Sequence, residues 1–167
     1  MSSVRNFPNE SIFTVNNNYF DLSTFYSGDQ LKMIMQTRNA PITTADLPHT
    51  YEVVSKIYPE VFKTQCFNSL QLPFSEEIKC TELGHLFEHF LIQSLLDAHI
   101  KNNPQIDACI DATTDWNWQR DPRGTFHIHI KNIPLLDPKL VSESLIKSND
   151  LMQLILLTQK TTAIKIN

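Results

Sequence analysis

The residues of this chain best suited to chemistry sit in Thr81-Glu82-Leu83-Gly84-His85-Leu86-Phe87-Glu88-His89-Phe90-Leu91-Ile92. Leu83, Leu86, Phe87, Phe90, Leu91 and, further on, Leu95 recur at three- and four-residue steps, the spacing of a buried helix. Positions i, i+3 and i+4 share one helix face, so His85, Glu88 and His89 converge on one spot. The order is His-x-x-Glu-His. Two neutral imidazoles one turn apart can clasp a zinc ion, with the carboxylate between them as general base toward water. The same spacing also serves a plain polar stripe in which Glu88 pairs with a neighbour. Two features favour a site. A charge within an apolar segment is costly unless it is paired or metal-bound. Gly84 weakens its helix by about 1 kcal/mol relative to alanine, which implies that something approaches closely there.

A second dense stretch is Thr113-Thr114-Asp115-Trp116-Asn117-Trp118-Gln119-Arg120-Asp121-Pro122-Arg123. Arg120 and Arg123 offer paired N–H donors suited to a substrate carboxylate. Trp116 and Trp118 can wall a pocket, and Asp121 adds an acid. Ordinary packing for the tryptophans and a solvated loop for the arginines are the alternatives. Gly124-Thr125-Phe126-His127-Ile128-His129-Ile130 alternates strictly, as a half-buried strand does. Phe126, Ile128 and Ile130 face one side, while His127 and His129 face the other, with an exposed sheet face favoured over metal ligation.

These groups need elements to position them. Residues 1–11 read as a loose N-terminus and residues 12–167 as a single domain. Ile12-Phe13-Thr14-Val15 reads as a first strand, Asn16-Asn17-Asn18 as a turn, and Tyr19-Phe20-Asp21-Leu22 as the start of the next element. Gly28 to Arg38 fits a short helix or a strand. Thr44-Ala45-Asp46-Leu47-Pro48 looks like a helix start, leading to a packing helix with Tyr51, Val54, Ile57 and Tyr58, then Val61 and Phe62 after Pro59. Cys66 to Pro73 is a connection. Ser75-Glu76-Glu77 resembles a helix cap, and the His-x-x-Glu-His helix starts there or near Thr81. It runs to about His99, before the stop at Lys101-Asn102-Asn103-Pro104. Ile106 to Ala112 fits a strand, paired with the alternating one as an antiparallel hairpin around the tryptophan loop. Asp137-Pro138 opens a last helix, with Ser148-Asn149-Asp150 as an interruption, and Thr161 to Ile166 has strand composition. The expected architecture is α+β: a mainly antiparallel sheet with helices packed on one face.

Composition narrows the function. The chain has 167 residues, 41% of them hydrophobic, with a formal net charge of −4. That suits one domain with a real core and gives no electrostatic case for nucleic acid or a membrane surface. No stretch reaches the length of a membrane span. The N-terminus lacks an apolar signal core. Cys66, Cys80 and Cys109 are scattered and odd in number, which favours free thiols in a reducing cytoplasm, and an inert buried thiol is the expectation for Cys80. Only three glycines, with neither a P-loop nor a GxGxxG string, argue against a phosphate-cradling loop.

Leu83-Gly84-His85-Leu86-Phe87-Glu88-His89 and the apolar helix after it resemble the N-terminal domain of cyanophycin synthetase. Tyr51 to Pro59 is similar to a family helix, and Arg123-Gly124-Thr125-Phe126-His127 looks like that family's strand entry; the match covers roughly residues 12 to 150. The resemblance implies a metallopeptidase-like site acting on a peptide or isopeptide bond. Polymer synthesis is not expected, because ATP-grasp and ligase segments are missing. The helix motif is also similar to that of pitrilysin-type peptidases and S-ribosylhomocysteine lyase, and this resemblance implies a metallohydrolase-like sandwich. Pitrilysin-type enzymes take a third ligand, Glu, from a later helix, which points to Glu143. The lyase takes a cysteine near the hairpin; the matching place is near Asp121, and Cys109 falls too early. Asp115, Asp121, His127 and His129 stay open as third ligands. The expectation is therefore a zinc-dependent hydrolase in which His85, His89 and Glu143 hold zinc and Glu88 is the base. Arg120, Arg123, Trp116, Trp118 and Asp121 would meet a peptide-like or small-molecule substrate, and a homo-oligomer is allowed. The alternative is a non-catalytic peptide or small-molecule binding module with a vestigial site.

Overall fold

A computed structural model of the chain describes residues 13–27, 29–67, 70–102, 109–133 and 137–164. The expected loose N-terminus, Ile12, Gly28, residues 103–108 and the last residues of the tail lie outside these. Five strands form one antiparallel sheet in the order β1-β2-β3-β5-β4. They are β1 (Phe13–Asn16), β2 (Phe20–Ser27), β3 (Gln30–Thr37), β4 (Asp111–Asp115) and β5 (Thr125–Lys131). Alternation sorts the two faces, as a pleat demands. Leu22, Leu31, Met33, Met35, Phe126, Ile128 and Ile130 point to the core and are buried. Lys32 and Ile34 on β3, with His127 and His129 on β5, point the other way. Register locks this arrangement: Met33 lies opposite Ile128 and Met35 opposite Phe126, and a one-residue slip would turn every apolar side chain to water.

The core face is covered by helices. α1 (Thr50–Ile57) leads into a 3-10 turn at Pro59–Lys63, and the four-residue α2 (Phe74–Glu77) follows. The long α3 (Leu83–Asn102) packs against β4, β5 and α4 (Pro138–Ile164). α3 is apolar on nearly every side because it is enclosed. Leu86, Phe87, Phe90, Leu91 and Leu95 are fully buried, each contributing roughly 1.5–3 kcal/mol through its removal from water. No helix among the described residues is long and apolar enough to cross a membrane.

Gly84 is where α3 meets the sheet most closely. A Cβ placed there would lie 2.5 Å from the Phe126 ring. The close approach implied by this glycine is therefore made by a core aromatic ring. Gly84→Ala should push α3 off β5 and lower unfolding free energy by about 1–3 kcal/mol, the usual cost of overpacking, read by chemical denaturation. An unchanged midpoint would mean that the helix can shift freely. Gly124, at φ +87, sits where the chain enters β5, and a side chain there would also strike Thr37.

Several elements differ from expectation for local reasons. Residues 30–37 are a strand because they pair on both sides, with β2 and with β5. Thr44–Asp46 is only a 3-10 turn, and the helix proper begins at Thr50, whose hydroxyl donates to the Leu47 carbonyl. Ser75-Glu76-Glu77 does not cap a helix: α2 starts after Pro73, without a side-chain cap, and α3 starts separately at Leu83. The first hairpin strand lies later than expected, so Thr113, Thr114 and Asp115 belong to β4, not to the loop. Ser148-Asn149-Asp150 does not interrupt α4. The Ser148 hydroxyl donates to Ser144 O at 2.8 Å and is satisfied within the helix. Residues 161–164 continue that helix instead of forming a strand.

Candidate metal centre

The helical spacing of His85 and His89 carries both rings off the same flank of α3, where their Nε2 atoms stand 3.0 Å apart. The third group at this spot is Cys66, from the connection between the Pro59–Lys63 turn and α2. Its Sγ lies 3.6 Å from His85 Nε2. Sγ and the two imidazole nitrogens all lie within 4.8 Å of one another. Tetrahedral zinc, with bonds of about 2.0–2.1 Å to nitrogen and 2.3 Å to sulfur, spaces its ligand atoms roughly 3.3–3.6 Å apart. The two separations that involve His85 Nε2, 3.0 Å to His89 and 3.6 Å to Cys66, therefore stand within a few tenths of an ångström of what the ion requires.

The surrounding hydroxyls orient the rings. Thr64 Oγ1 donates its one proton to Val61 O at 2.5 Å. It also lies 2.6 Å from His89 Nδ1, so that nitrogen must be the donor and carry the hydrogen. His89 Nε2 is left with a bare lone pair aimed into the cluster. His85 Nδ1 faces Thr81 Oγ1 at 2.9 Å and Glu77 Oε1 at 3.6 Å. A hydroxyl can play either part, but a carboxylate only accepts, so its charge favours the hydrogen on Nδ1 and a bare Nε2 here too. Two bare lone pairs 3.0 Å apart repel unless a cation or proton lies between them. Glu77 also accepts from the Cys66 thiol at 3.0 Å, so one carboxylate steadies two of the three donors. Such outer partners commonly set ligand orientation at metal sites.

The cluster is sheltered on one side. The Phe74 ring stacks on His89 at 3.6 Å between centroids and meets His85 edge-on. His89 is buried, while His85 and Cys66 are partly exposed and form the open side. Burial pushes the His89 imidazole down to about 2, with His85 adding to the effect. Burial also lowers His85, opposed by the charges of Glu77 and Glu82. Both rings are therefore neutral at neutral pH, the form a metal needs.

Glu88 occupies the neighbouring flank of α3, toward the sheet. It is 5% exposed and accepts a hydrogen bond from Thr114 Oγ1 on β4 at 2.6 Å. Burial raises its carboxyl to about 7, the Thr114 hydrogen bond pulls it down and the charge of Glu77 pushes it up.

The other expected site residues separate into two groups. Trp116 and Trp118 lie 6.0 Å apart and both meet Phe126 edge-on. The Arg123 guanidinium lies 5.3 Å above the Trp118 ring. Phe126 is the ring against Gly84, so this aromatic stack borders the start of α3. Arg120 is exposed on the same loop. Asp121, in contrast, pairs with His127 Nε2 at 3.0 Å on the outward face of the sheet, and His129 faces Gln30 there at 3.2 Å. Asp115 is exposed opposite His127. None of these four belongs to the cluster.

Glu143, the expected third ligand, is not with the histidines. The buried face of α4 is Val141, Leu145, Ser148, Met152 and Ile155, and Glu143 falls on the opposite side of the turn. It is 56% exposed and stands 3.9 Å from Lys139 as an i,i+4 pair. The third donor atom beside the two imidazoles is Cys66 Sγ. Cys66, Thr64, Phe74, Glu77, Thr81 and Thr114 are the members that sequence reasoning missed. No family model, curated protein or solved structure matches this chain.

Proposed function

We propose that this chain is a zinc-dependent hydrolase in which Cys66, His85 and His89 hold the ion and Glu88 handles the proton. The observation that carries the reading is the convergence of three donor atoms from two separate segments, with the His89 tautomer set by Thr64. Three protein ligands leave a fourth position, the pattern of a catalytic and not a structural zinc site. A bound zinc ion would supply Lewis acidity and a water acidified toward neutral pH. Glu88 takes the proton of the attacking water on its carboxylate as oxygen adds to the substrate carbonyl carbon. It then gives that proton to the leaving nitrogen as the carbon–nitrogen bond breaks. Thr114 holds the carboxylate in place, and Phe74 keeps water from the back of His89. An amide bond, peptide or isopeptide, is the substrate class suggested by the resemblance to the cyanophycin synthetase N-terminal domain.

One observation favours a second reading. Glu77, His85 and Cys66 stand in the order of an acid, a base and a thiol nucleophile. Two contacts weigh against it. The thiol donates to Glu77 and not to His85, and His89 Nε2 stands 3.0 Å from His85 Nε2, nearer than the thiol at 3.6 Å.

Protein purified without a histidine tag should hold about one equivalent of zinc. It should cleave members of a fluorogenic peptide library, lose that activity to a chelator and regain it with zinc. No metal, together with a melting temperature unmoved by added zinc, overturns the proposal and leaves the binding-module alternative. Activity that survives the chelator but not thiol alkylation favours the cysteine nucleophile.

A further inference from the structure

β4 is an edge of the sheet, paired on one side only, with β5. In an antiparallel strand the N–H and C=O groups alternate in direction, so half of them point away from the partner strand. Among the described residues, no backbone hydrogen bond from outside the β4–β5 ladder reaches residues 111–115. This edge lies beside Glu88, because Thr114, in the middle of β4, donates to it. Ala112 and Thr114 are the small, half-buried residues on the helix side, while Asp111, Thr113 and Asp115 are exposed on the other face. Asp111 accepts from Asn132 at 2.7 Å and stands opposite Lys131; Asp115 stands opposite His127.

We propose that β4 docks an extended, basic peptide segment as an additional antiparallel strand, which runs the peptide past Glu88. Strand addition supplies affinity through the main chain and selectivity through alternate side chains. Asp111 and Asp115 lie on one face about 13 Å apart, at roughly 3.3 Å of rise per residue, and select Lys or Arg at alternate positions of the incoming strand. They also argue against a second copy of this chain as the occupant. Two β4 edges brought together antiparallel would place Asp111 against the partner's Asp115, the like-charge arrangement that guards natural edges. The consequence for cleavage rests on the hydrolase reading; the docking itself does not.

The test uses metal-free protein in EDTA, followed by amide NMR. It is titrated with acetyl-Val-Lys-Val-Lys-Val-Lys-Val-amide, its glutamate counterpart, and two lysine versions N-methylated at one or the other set of alternate amides. The lysine peptide should shift the amides of residues 111–115 and slow their hydrogen exchange. The glutamate peptide should bind about five- to tenfold more weakly, the worth of two exposed ion pairs. N-methylation on the ladder side should abolish binding. Asp111→Lys with Asp115→Lys should reverse the charge preference. Unmoved β4 amides, equal affinity for the two charge types, or full binding by both N-methylated registers each overturn the proposal. Zinc-dependent cleavage with unmoved β4 amides overturns the docking alone. β4 shifts in a chain that never binds zinc uphold the docking and sink the hydrolase.

Discussion

Glu88→Gln should leave zinc bound and lower turnover by about 10²–10⁴-fold, the range that a positioned general base supplies. The amide keeps the size of the side chain and an oxygen to accept from Thr114 Oγ1, which sits at 2.6 Å in the parent. It cannot take a proton. The replacement also removes a carboxyl that burial disfavours in its charged form, so thermal stability should hold or rise. That pairing of outcomes, activity lost and fold kept, separates a proton-handling role from a structural one. Glu88→Ala is the poorer experiment, because it opens a cavity in a residue that is 5% exposed and strands the Thr114 hydroxyl. Kinetics and metal content measured on the same Glu88→Gln preparation decide the matter. Activity equal to the parent hands the base to another group, and Glu77 is the carboxylate already in contact with the cluster.

What was legible in the sequence follows from periodicity, and what was not follows from its absence. The α3 apolar run repeats at the helical step, so the helix, its burial and the shared face of His85 and His89 could all be read. Residues 125–131 alternate, so β5 and the outward direction of His127 and His129 could be read as well. The α+β class followed from these two patterns. Cys66 lies in a connection with no period of its own, and no local signal reports that the chain folds back to α3 there. Thr64 and Glu77 are invisible for the same reason: their roles exist only once α2 and the preceding turn pack on His85 and His89. Glu143 is the only glutamate after the motif, and analogy alone points to it. The α4 pattern, with Val141, Leu145 and Ser148 inward, places it on the solvent side. Gly84 carried a true signal of close approach, and the partner is Phe126. Thr114 reads as loop because β4 is short and not apolar, yet a polar edge strand is what allows a hydroxyl to meet Glu88.

Cys66→Ser and His89→Ala should each abolish stoichiometric zinc, whereas Glu143→Ala should retain it. This comparison separates the third donor that the fold brings to the histidines from the one that analogy points to. The readout is the difference in melting temperature with and without zinc, because His89→Ala also removes a ring stacked on Phe74 and will lower stability in both conditions. Zinc in about a hundredfold excess over its dissociation constant adds roughly 2.7 kcal/mol to the folded state. In a domain of this size each kcal/mol moves the midpoint by about 2–4 °C, so the parent and Glu143→Ala should gain on the order of 5–10 °C. The two cluster variants should gain none. Cobalt substituted for zinc adds a signature that stability cannot mimic: thiolate-to-metal charge transfer in the parent, lost in Cys66→Ser. Zinc retained by Cys66→Ser at parental affinity removes Cys66 from the centre, and zinc lost from Glu143→Ala puts Glu143 into it. Zinc lost from all three variants, with no charge-transfer band in the parent, would mean that the ion binds through the fold in some other way and that the 3.6 Å between Sγ and His85 Nε2 is only a packing distance.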